Sequence, residues 1–379
     1  MIKVCHMSSV HGVEDVRIFH KECVSLAKAG YEVYLVERGE SYEKSGVHIV
    51  GVGEIPGNRL KRMTQGAKRV YRKALELDCD IYHIHDPELL PYGLKLKRKG
   101  KKVIFDSHEH YSTLIKQKSY LPAHYAKLIG KIYSKYEGYV LKRIDAVIFP
   151  CLKEGRHPFE GQCRHIATVN NVPLLEELYD RYDLSIQKKE RSIVYVGELE
   201  YSRGITHLIK AACKSQATAY LGGKFSSENY RKELEQLPEY HAVDYRGVLN
   251  RQEVCDLLQH CQIGMANILN VGQYNQFDNL ATKVYEYMAL GLPVILTKSD
   301  YNEKVMAEYQ FGICVDPENV DEIADAIRYL LDNPEEARRM GENGRRAVEQ
   351  EFNWSTEEKK LLKLYEEIVE EKRAFLPFY

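Results

Sequence analysis

The run Asn279-Leu-Ala-Thr-Lys-Val-Tyr-Glu-Tyr-Met-Ala-Leu-Gly-Leu-Pro-Val294 gathers groups that bind phosphate and sugar. Thr282 reads as the N-cap of a short helix that Gly291 and Pro293 end. Backbone N–H groups over Thr282–Val284 would then attract an anion, and Lys283 adds a full charge beside them. Glu286, one turn on, is placed to bond ribose hydroxyls, as acidic residues do in dinucleotide folds. A plainer account is a helix with an early glutamate that suits its dipole. These residues alone do not choose between the two.

Other strand-end runs carry similar chemistry. In Tyr195-Val-Gly-Glu-Leu-Glu-Tyr-Ser-Arg-Gly204, Gly197 closes a strand and Arg203-Gly204 opens a helix. An arginine there can hold a phosphate through two parallel hydrogen bonds, or simply sit in water. Gly222-Gly223-Lys224 is a weaker turn of the same kind, and Arg246-Gly247-Val248 can offer backbone to a base ring. Ser8-Ser-Val-His11-Gly12 follows the first strand with a glycine-containing loop. His83-Ile-His85-Asp86-Pro87-Glu88 and Phe105-Asp106-Ser107-His108-Glu109-His110 end two more strands. Four histidines in two loops raise the question of zinc. There is no HExxH, and His83 and His85 are taken to alternate faces of one strand, so the reading expects no metal and polar contacts to a substrate instead.

The elements that position these residues fall into two series. Strand-like runs at Ile2–Met7, Glu32–Val36, Val47–Val50, Ile81–His85, Val103–Ser107 and Ala146–Pro150 alternate with helix-length segments. After the turn-like Asn170-Asn171-Val172-Pro173 the pattern restarts at Ser192–Gly197, Ala217–Gly222, Val243–Gly247, Gln262–Ala266 and Pro293–Thr297. Helices are expected at Val320–Leu331, Pro334–Glu351 and Thr356–Lys372. This predicts an α/β chain of two Rossmann-like domains with parallel sheets, facing a cleft. The length of 379 residues agrees with two cores. Domains are placed at 1–169, with 357–379 packing back on it, and at 170–356.

Charge divides along the same line. Residues 1–170 hold 29 Lys and Arg against 19 Asp and Glu, and residues 171–379 hold 25 against 36, so net charges of +10 and −11 hide within a total of −1. The basic half calls for an anionic partner. Its charge is concentrated in Asn58–Lys73, with Arg59, Lys61, Arg62, Lys68, Arg69, Arg72 and Lys73 and no acid. In the acid-free stretch Tyr111–Tyr136, residues Tyr125, Leu128, Ile129, Ile132, Tyr133 and Tyr136 recur at helical spacing beside Lys127, Lys131 and Lys135. Such a helix suits a membrane interface, or else packs its apolar side on a sheet. No recognised nucleic-acid motif accompanies the charge, so nucleic acid is not the expected partner. Nine cysteines without CxxC argue against a disulfide framework and for a reducing cytosol. The N-terminal residues read as a strand rather than an export signal, and no apolar run is long enough to span a bilayer.

Taken together, these motifs resemble the retaining glycosyltransferases of family 4, whose two-Rossmann architecture is the GT-B fold. Thr282–Val294 is similar to the family's nucleotide-sugar helix. The endings Pro317-Glu-Asn, Ala324-Asp-Ala-Ile, Met340-Gly341 and Phe352-Asn-Trp354 are similar too. The opening His11…Asp15-Val-Arg-Ile-Phe-His-Lys-Glu22 resembles a branch making exopolysaccharide, capsule or O-antigen. The resemblance implies that Glu286 is the second acid of an E-x7-E motif and binds the donor ribose, with Asp278 in place of the first, contacting the donor sugar. It assigns Arg203, Gly204 and Lys283 to the donor diphosphate, approached also by Gly12. Thr282 and Val248 fall in the same donor-binding set. His108 is implied to lie near the transferred sugar, and His11, His85 and Asp86 to border the acceptor. Two departures stand out. Glu198 follows Gly197 where relatives have a phosphate-binding arginine, and Asp278 is shorter than glutamate.

The activity this resemblance implies is retaining transfer from a nucleotide-diphosphate-sugar to a saccharide, carried on polyprenyl diphosphate, at the cytoplasmic membrane face. No metal or other cofactor is expected. A sugar-nucleotide 2-epimerase of the same fold and a catalytically silent sugar-nucleotide binder stay open as alternatives. A dehydrogenase is disfavoured because no G-x-G-x-x-G follows the first strand.

Overall fold

The computed structural model describes residues 1–54, 61–116, 123–176, 186–271 and 275–374. The chain divides into two units, Met1–Asn171 with the stretch from Ser355 onward, and Val172–Trp354.

The first unit is built on eight strands. They are β1 (Lys3–Met7), β2 (Glu32–Glu37), β3 (Tyr42–Lys44), β4 (Val47–Gly51), β5 (Ile81–Ile84), β6 (Lys102–Asp106), β7 (Ala146–Phe149) and β8 (His165–Thr168). Their order is β3-β4-β2-β1-β5-β6-β7-β8, parallel except for the β3–β4 pair. Helices α1 (Val24–Lys28), α2 (Ala67–Glu76), α3 (Leu90–Arg98), α4 (Tyr111–Lys116) and α5 (Ala123–Leu141) make the connections. Strands β5 and β7 are buried at every residue, as expected of strands covered on both faces.

The expected helix ahead of Leu26 takes an unusual form. Val16–Cys23 is a π-helix capped by Asp15, whose carboxylate accepts from the N–H groups of Arg17 and Ile18. It turns Arg17, Lys21 and Glu22 inward. Arg17 is satisfied by Asp106 and the Val169 carbonyl, and Lys21 by the Asn171 side chain at 2.7 Å.

Helix α5 corrects the expected stripe. Its inward face is Ala126, Gly130, Glu137, Val140 and Leu141, with Tyr133 and Tyr136 half-buried. Tyr125, Leu128, Ile129 and Ile132 face water at 55%, 55%, 42% and 60% exposure. Glu137 takes an inward place because the Tyr133 hydroxyl donates to it at 3.0 Å, and burial pushes its carboxyl up to about 7. The small residues Ala126 and Gly130 lie inward, and the bulkier apolar ones are left out. Of the basic runs, Arg59 and Lys118 lie outside the described residues.

The second unit carries β9 (Ser192–Val196), β10 (Thr218–Gly222), β11 (Val243–Tyr245), β12 (Ile263–Ala266), β13 (Val294–Thr297) and β14 (Gly312–Val315), all parallel, in the order β11-β10-β9-β12-β13-β14. Between and after them run α6 (Ile205–Lys214), α7 (Glu228–Glu235), α8 (Arg251–Gln259), α9 (Thr282–Ala289), α10 (Asp300–Tyr309), α11 (Val320–Asp332) and α12 (Pro334–Gln350). Two apolar clusters fill the unit, one containing Val194, Val284 and Met288, the other Tyr195, Ile205 and Ile327. Each fully buried aliphatic or aromatic side chain adds about 1.5–3 kcal/mol. Tyr287 locks α9 on the sheet. Its ring fills the space over Gly264, where a Cβ would stand 2.4 Å from the ring.

The last helix, α13 (Trp354–Ala374), returns to the first unit. There Glu371 pairs with His165 at 2.9 Å and Lys102 at 3.3 Å, Glu357 accepts from Asn170 N–H, and the Tyr365 hydroxyl reaches His83 at 2.8 Å. Three strands, β3, β8 and β14, were not anticipated. Each is an edge strand of three or four residues.

Candidate functional site

Each sheet reverses its winding once, between β1 and β5 in the first unit and between β9 and β12 in the second. Loops beyond the carboxyl ends of such strand pairs are where open α/β sheets take ligands. Every candidate residue of the sequence lies in these loops or next to them, except Val248.

In the second unit β9 ends on Val196. Gly197 follows at φ +144°, and a 3-10 turn over Tyr201–Arg203 leads to Gly204 at φ +73°, the cap of α6. The loop after β12 is stitched to that turn. Asn267 Nδ2 donates to the Gly204 carbonyl at 3.1 Å, and Leu269 N–H to the Ser202 carbonyl at 2.9 Å. Further along the same loop lies half-buried Asp278. The cap of α9 is Ala281, not Thr282 as the sequence suggested. Thr282 is already the first helical residue and Ala281 has no group to cap with. Ala281 thus makes no side-chain cap hydrogen bond, which leaves the helix end receptive to an anion.

Lys283 curls from α9 back to β9. Its Nζ lies 3.4 Å from the centroid of the Tyr195 ring, and a Cβ on Gly197 would come within 2.9 Å of it. The bare Gly197 thus leaves room for an ammonium at the end of β9. Burial, and then the nearby charge of Arg203, hold the Lys283 pKa well below that of an ordinary lysine. Glu286 is half-buried, and Arg251 NH1 donates to its Oε1 at 2.7 Å. Arg251 was not foreseen. It opens α8 just after Asn250, which forms a capping box with Glu253, a local signal for the helix start but not for the pairing. Val248, on the loop after β11, is 73% exposed.

In the first unit His85, Asp86, His11 and His108 do come together. Asp86 accepts from Ser9 N–H at 2.6 Å, Val10 N–H at 3.2 Å and Ser8 Oγ at 3.1 Å, and its Oδ1 meets His11 Nδ1 at 3.0 Å. Burial works to raise the Asp86 carboxyl, yet His11 and these donors hold it below the usual range. Burial works to lower His11, and Asp86 outweighs it, so the imidazole is held above its ordinary value. Asp86 therefore shapes the Ser8–His11 loop. The His11 and His108 rings pack with centroids 4.5 Å apart, and His108 Nε2 lies 3.1 Å from Asp106 Oδ2. Gly12 is exposed, with nothing within 4 Å of where a Cβ would be.

His83 and His85 correct the sequence reading. Residues two apart on a strand share a face, and both rings are buried on the same side, 4.6 Å between centroids. Burial lowers His85 to about 4. His6, Glu22, Arg17 and Tyr365 complete this cluster and were missed, because four separated segments contribute to it.

The family model described as Glycosyltransferase Family 4 matches residues 16–157, and that described as Glycosyl transferases group 1 matches residues 179–347, together more than half of the chain. The alpha-D-kanosaminyltransferase of Streptomyces kanamyceticus is 26% identical over 202 residues, 51% of this chain and 49% of that protein. The chain spans about half the length of the curated relatives it matches. Among solved structures, the sucrose-phosphate synthase of Thermosynechococcus elongatus superposes with a TM-score of 0.76 at 16% identity, covering 98% of this chain and 100% of that one. The Anabaena protein HepE, in complex with UDP and glucose, gives 0.69 at 13% identity, covering 97% and 100%. Both have the GT-B fold expected of this chain.

Proposed function

Because the chain belongs to the glycosyltransferases of family 4, we propose that it moves a sugar from a nucleotide-diphosphate-sugar to a saccharide acceptor with the anomeric configuration retained. The observation that carries this reading is the convergence of Lys283, Arg203 and the uncapped end of α9 at the second unit's switch point. Negative charge grows on the diphosphate as the glycosidic bond breaks, and fixed cations with helix N–H groups stabilise it there. Two side-chain cations and a helix end can supply this stabilisation, so the transfer itself needs no metal. Glu286 exchanges Arg251 for the ribose hydroxyls, and Asp278 meets the donor sugar. Attack comes from the face the leaving group departs, and the departing phosphate helps take the acceptor proton. His11 and His108, whose rings pack together in the first unit, are the groups offered to the acceptor. HepE holds UDP and glucose in the same fold, which supports a donor of that class.

The test is a melting panel with UDP-, GDP-, CMP- and dTDP-sugars, and NAD and ATP as controls. One nucleotide-sugar class is expected to raise the midpoint, as a ligand at a hundred times Kd adds about 2.7 kcal/mol. Glu286→Ala should lose that rise. A rise with none of them refutes the donor reading. Release of free nucleotide diphosphate without any acceptor would favour an epimerase.

We further propose that the acceptor is a polyprenyl-diphosphate-linked saccharide of surface-polysaccharide assembly, met at the cytoplasmic face of an anionic membrane. What supports this is α5, where Tyr125, Leu128, Ile129 and Ile132 stand in water beside exposed Lys127, Lys131 and Lys135. Apolar side chains can enter the acyl boundary while lysines meet anionic headgroups. No described helix is long and apolar enough to cross a membrane. In vesicle flotation the protein should bind anionic but not neutral vesicles, and Leu128→Ser/Ile132→Ser should weaken binding several-fold. Equal binding to both vesicle types, or an unaffected double variant, refutes the membrane role.

A further inference from the structure

The histidines of the first unit form an enclosed ligand set. Strands β1 and β5 pair in parallel register with His6 opposite His83, and His85, two residues on, shares the face. Across from them the π-helix projects Glu22. All four residues are fully buried, and each offers one ligand atom within 4.8 Å of the others'. Glu22 Oε2 stands 4.0, 3.9 and 4.0 Å from His6 Nδ1, His83 Nε2 and His85 Nε2. His6 Nδ1 and His85 Nε2 are 2.9 Å apart.

Two independent features point to a cation. First, among the described residues His83 Nε2 is buried with no hydrogen-bond partner, and it faces the buried Glu22 carboxylate, which lies against Arg17 and Asp106. Arg17 Nε comes within 3.1 Å of Glu22 Oε1, but its N–H bonds Asp106 at 2.8 Å. Unsatisfied polar atoms in such a place are costly, each by about 1–3 kcal/mol. Second, the opposite ring nitrogens are all held from outside. Tyr365 OH is 2.8 Å from His83 Nδ1 and 3.4 Å from His6 Nε2, while His85 Nδ1 faces Asp106 Oδ2 at 3.5 Å and His108 Nε2 at 3.1 Å. Metal-bound imidazoles are oriented in this way, the outer N–H donating to an oxygen so that the inner lone pair faces the ion.

We propose that His6 Nδ1, His83 Nε2, His85 Nε2 and a Glu22 carboxylate oxygen bind one zinc(II)-type cation in a closed structural site. Zinc bonds of about 2.0–2.1 Å set tetrahedral ligands about 3.3 Å apart; the His6–His85 spacing of 2.9 Å and the Glu22 spacings of 3.9–4.0 Å bracket that value, and the atoms all lie within 4.8 Å of one another, so a modest contraction closes the site. Four protein ligands leave no open position, which makes the ion structural rather than catalytic. The second trio, His85, Asp106 and His108, is less suited, because Arg17 already bonds both Asp106 oxygens. The proposal departs from the sequence-based expectation of no metal, and it depends on the first unit alone, whatever becomes of the donor reading.

The 379-residue chain is unfolded in denaturant with EDTA, then refolded with or without zinc chloride, and its metal measured by mass spectrometry. One zinc per chain is expected, and the zinc-free protein should melt at least about 5 °C lower. Cobalt(II) in place of zinc should give the intense visible bands of four-coordinate geometry. Glu22→Gln and His83→Ala should lose the ion, while the control His48→Ala on β4 keeps it. Should the variants fail to fold, the wild-type result still decides. Wild type refolded with excess zinc that binds less than about a tenth of an equivalent, and melts the same with EDTA, overturns the proposal. It would mean neutral imidazoles beside a protonated Glu22 that shares its proton with Asp106.

Discussion

Lys283→Met is expected to lower kcat about 100-fold or more, while leaving the melting temperature of the unliganded protein unchanged or slightly raised. The opposite signs come from one arrangement. In the free protein the ammonium is enclosed against Tyr195 and faces Arg203, and burial followed by that like charge disfavours its protonated form. Methionine keeps the volume and removes the unfavourable charge. When a diphosphate occupies the α9 end the balance reverses, because the new anion favours the ammonium. Removing one preorganised donor to a developing oxyanion costs about 10²–10³ in kcat. Arg203→Ala should cost more than tenfold, and the double variant less than the product of the two, since both charges act on one group. Calorimetry in buffers of different ionisation enthalpy offers a second readout. Donor binding should take up protons in the wild type, and less in Lys283→Met. A variant with kcat within about twofold of wild type would remove Lys283 from the transition-state environment.

Why some of this was legible in the sequence and some was not depends on how far each signal reaches along the chain. Strands β5, β9 and β13 are short Val- and Ile-rich runs bounded by loops, and the alternation of such strands with helices in each half predicted parallel sheets. Arg203, Gly204, Lys283 and Glu286 stand at or just after strand-to-helix passages, where the residue types allow anion and ribose binding without singling it out. What pairs these residues is not local. Arg251 and Glu286 are 35 positions apart, and Lys283 meets Gly197 and Tyr195 across the sheet. Helix α5 shows a different failure. Its spacing correctly gave a helix, but the choice of inward face depended on Tyr133 bonding a buried Glu137, which hydrophobicity counts against. The histidine cluster was obscured by a wrong parity at His83 and His85, and by Glu22 arriving on a π-helix, whose wider turn a 3.6-residue period does not describe.

Gly204→Ala is expected to unfold or severely destabilise the second unit, by more than about 4 kcal/mol, whereas Gly12→Ala should melt like the wild type. Both glycines belong to the expected donor-binding set, and they differ in what surrounds them. At Gly12 nothing lies within 4 Å of an added Cβ, so alanine meets no obstacle to folding. At Gly204 two costs add. The backbone sits at φ +73°, which an alanine adopts at about 1–2 kcal/mol. The added Cβ would also stand 2.1 Å from the Asn267 carbonyl oxygen and 2.7 Å from its Nδ2. A side chain could swing away, but the carbonyl belongs to the backbone just past β12, tied to the Arg203 turn by the Leu269–Ser202 hydrogen bond. Truncating Asn267 therefore gives no relief. Gly204→Asn separates the two costs, because asparagine tolerates positive φ at helix ends far better than alanine does. If backbone angle were the main constraint, asparagine would rescue the protein. If the close approach dominates, as the 2.1 Å contact requires, asparagine fails as badly as alanine, and thermal melts of both variants show the same loss. A Gly204→Asn protein within about 2 °C of wild type would mean that the turn carrying Arg203 can lift off the β12 loop.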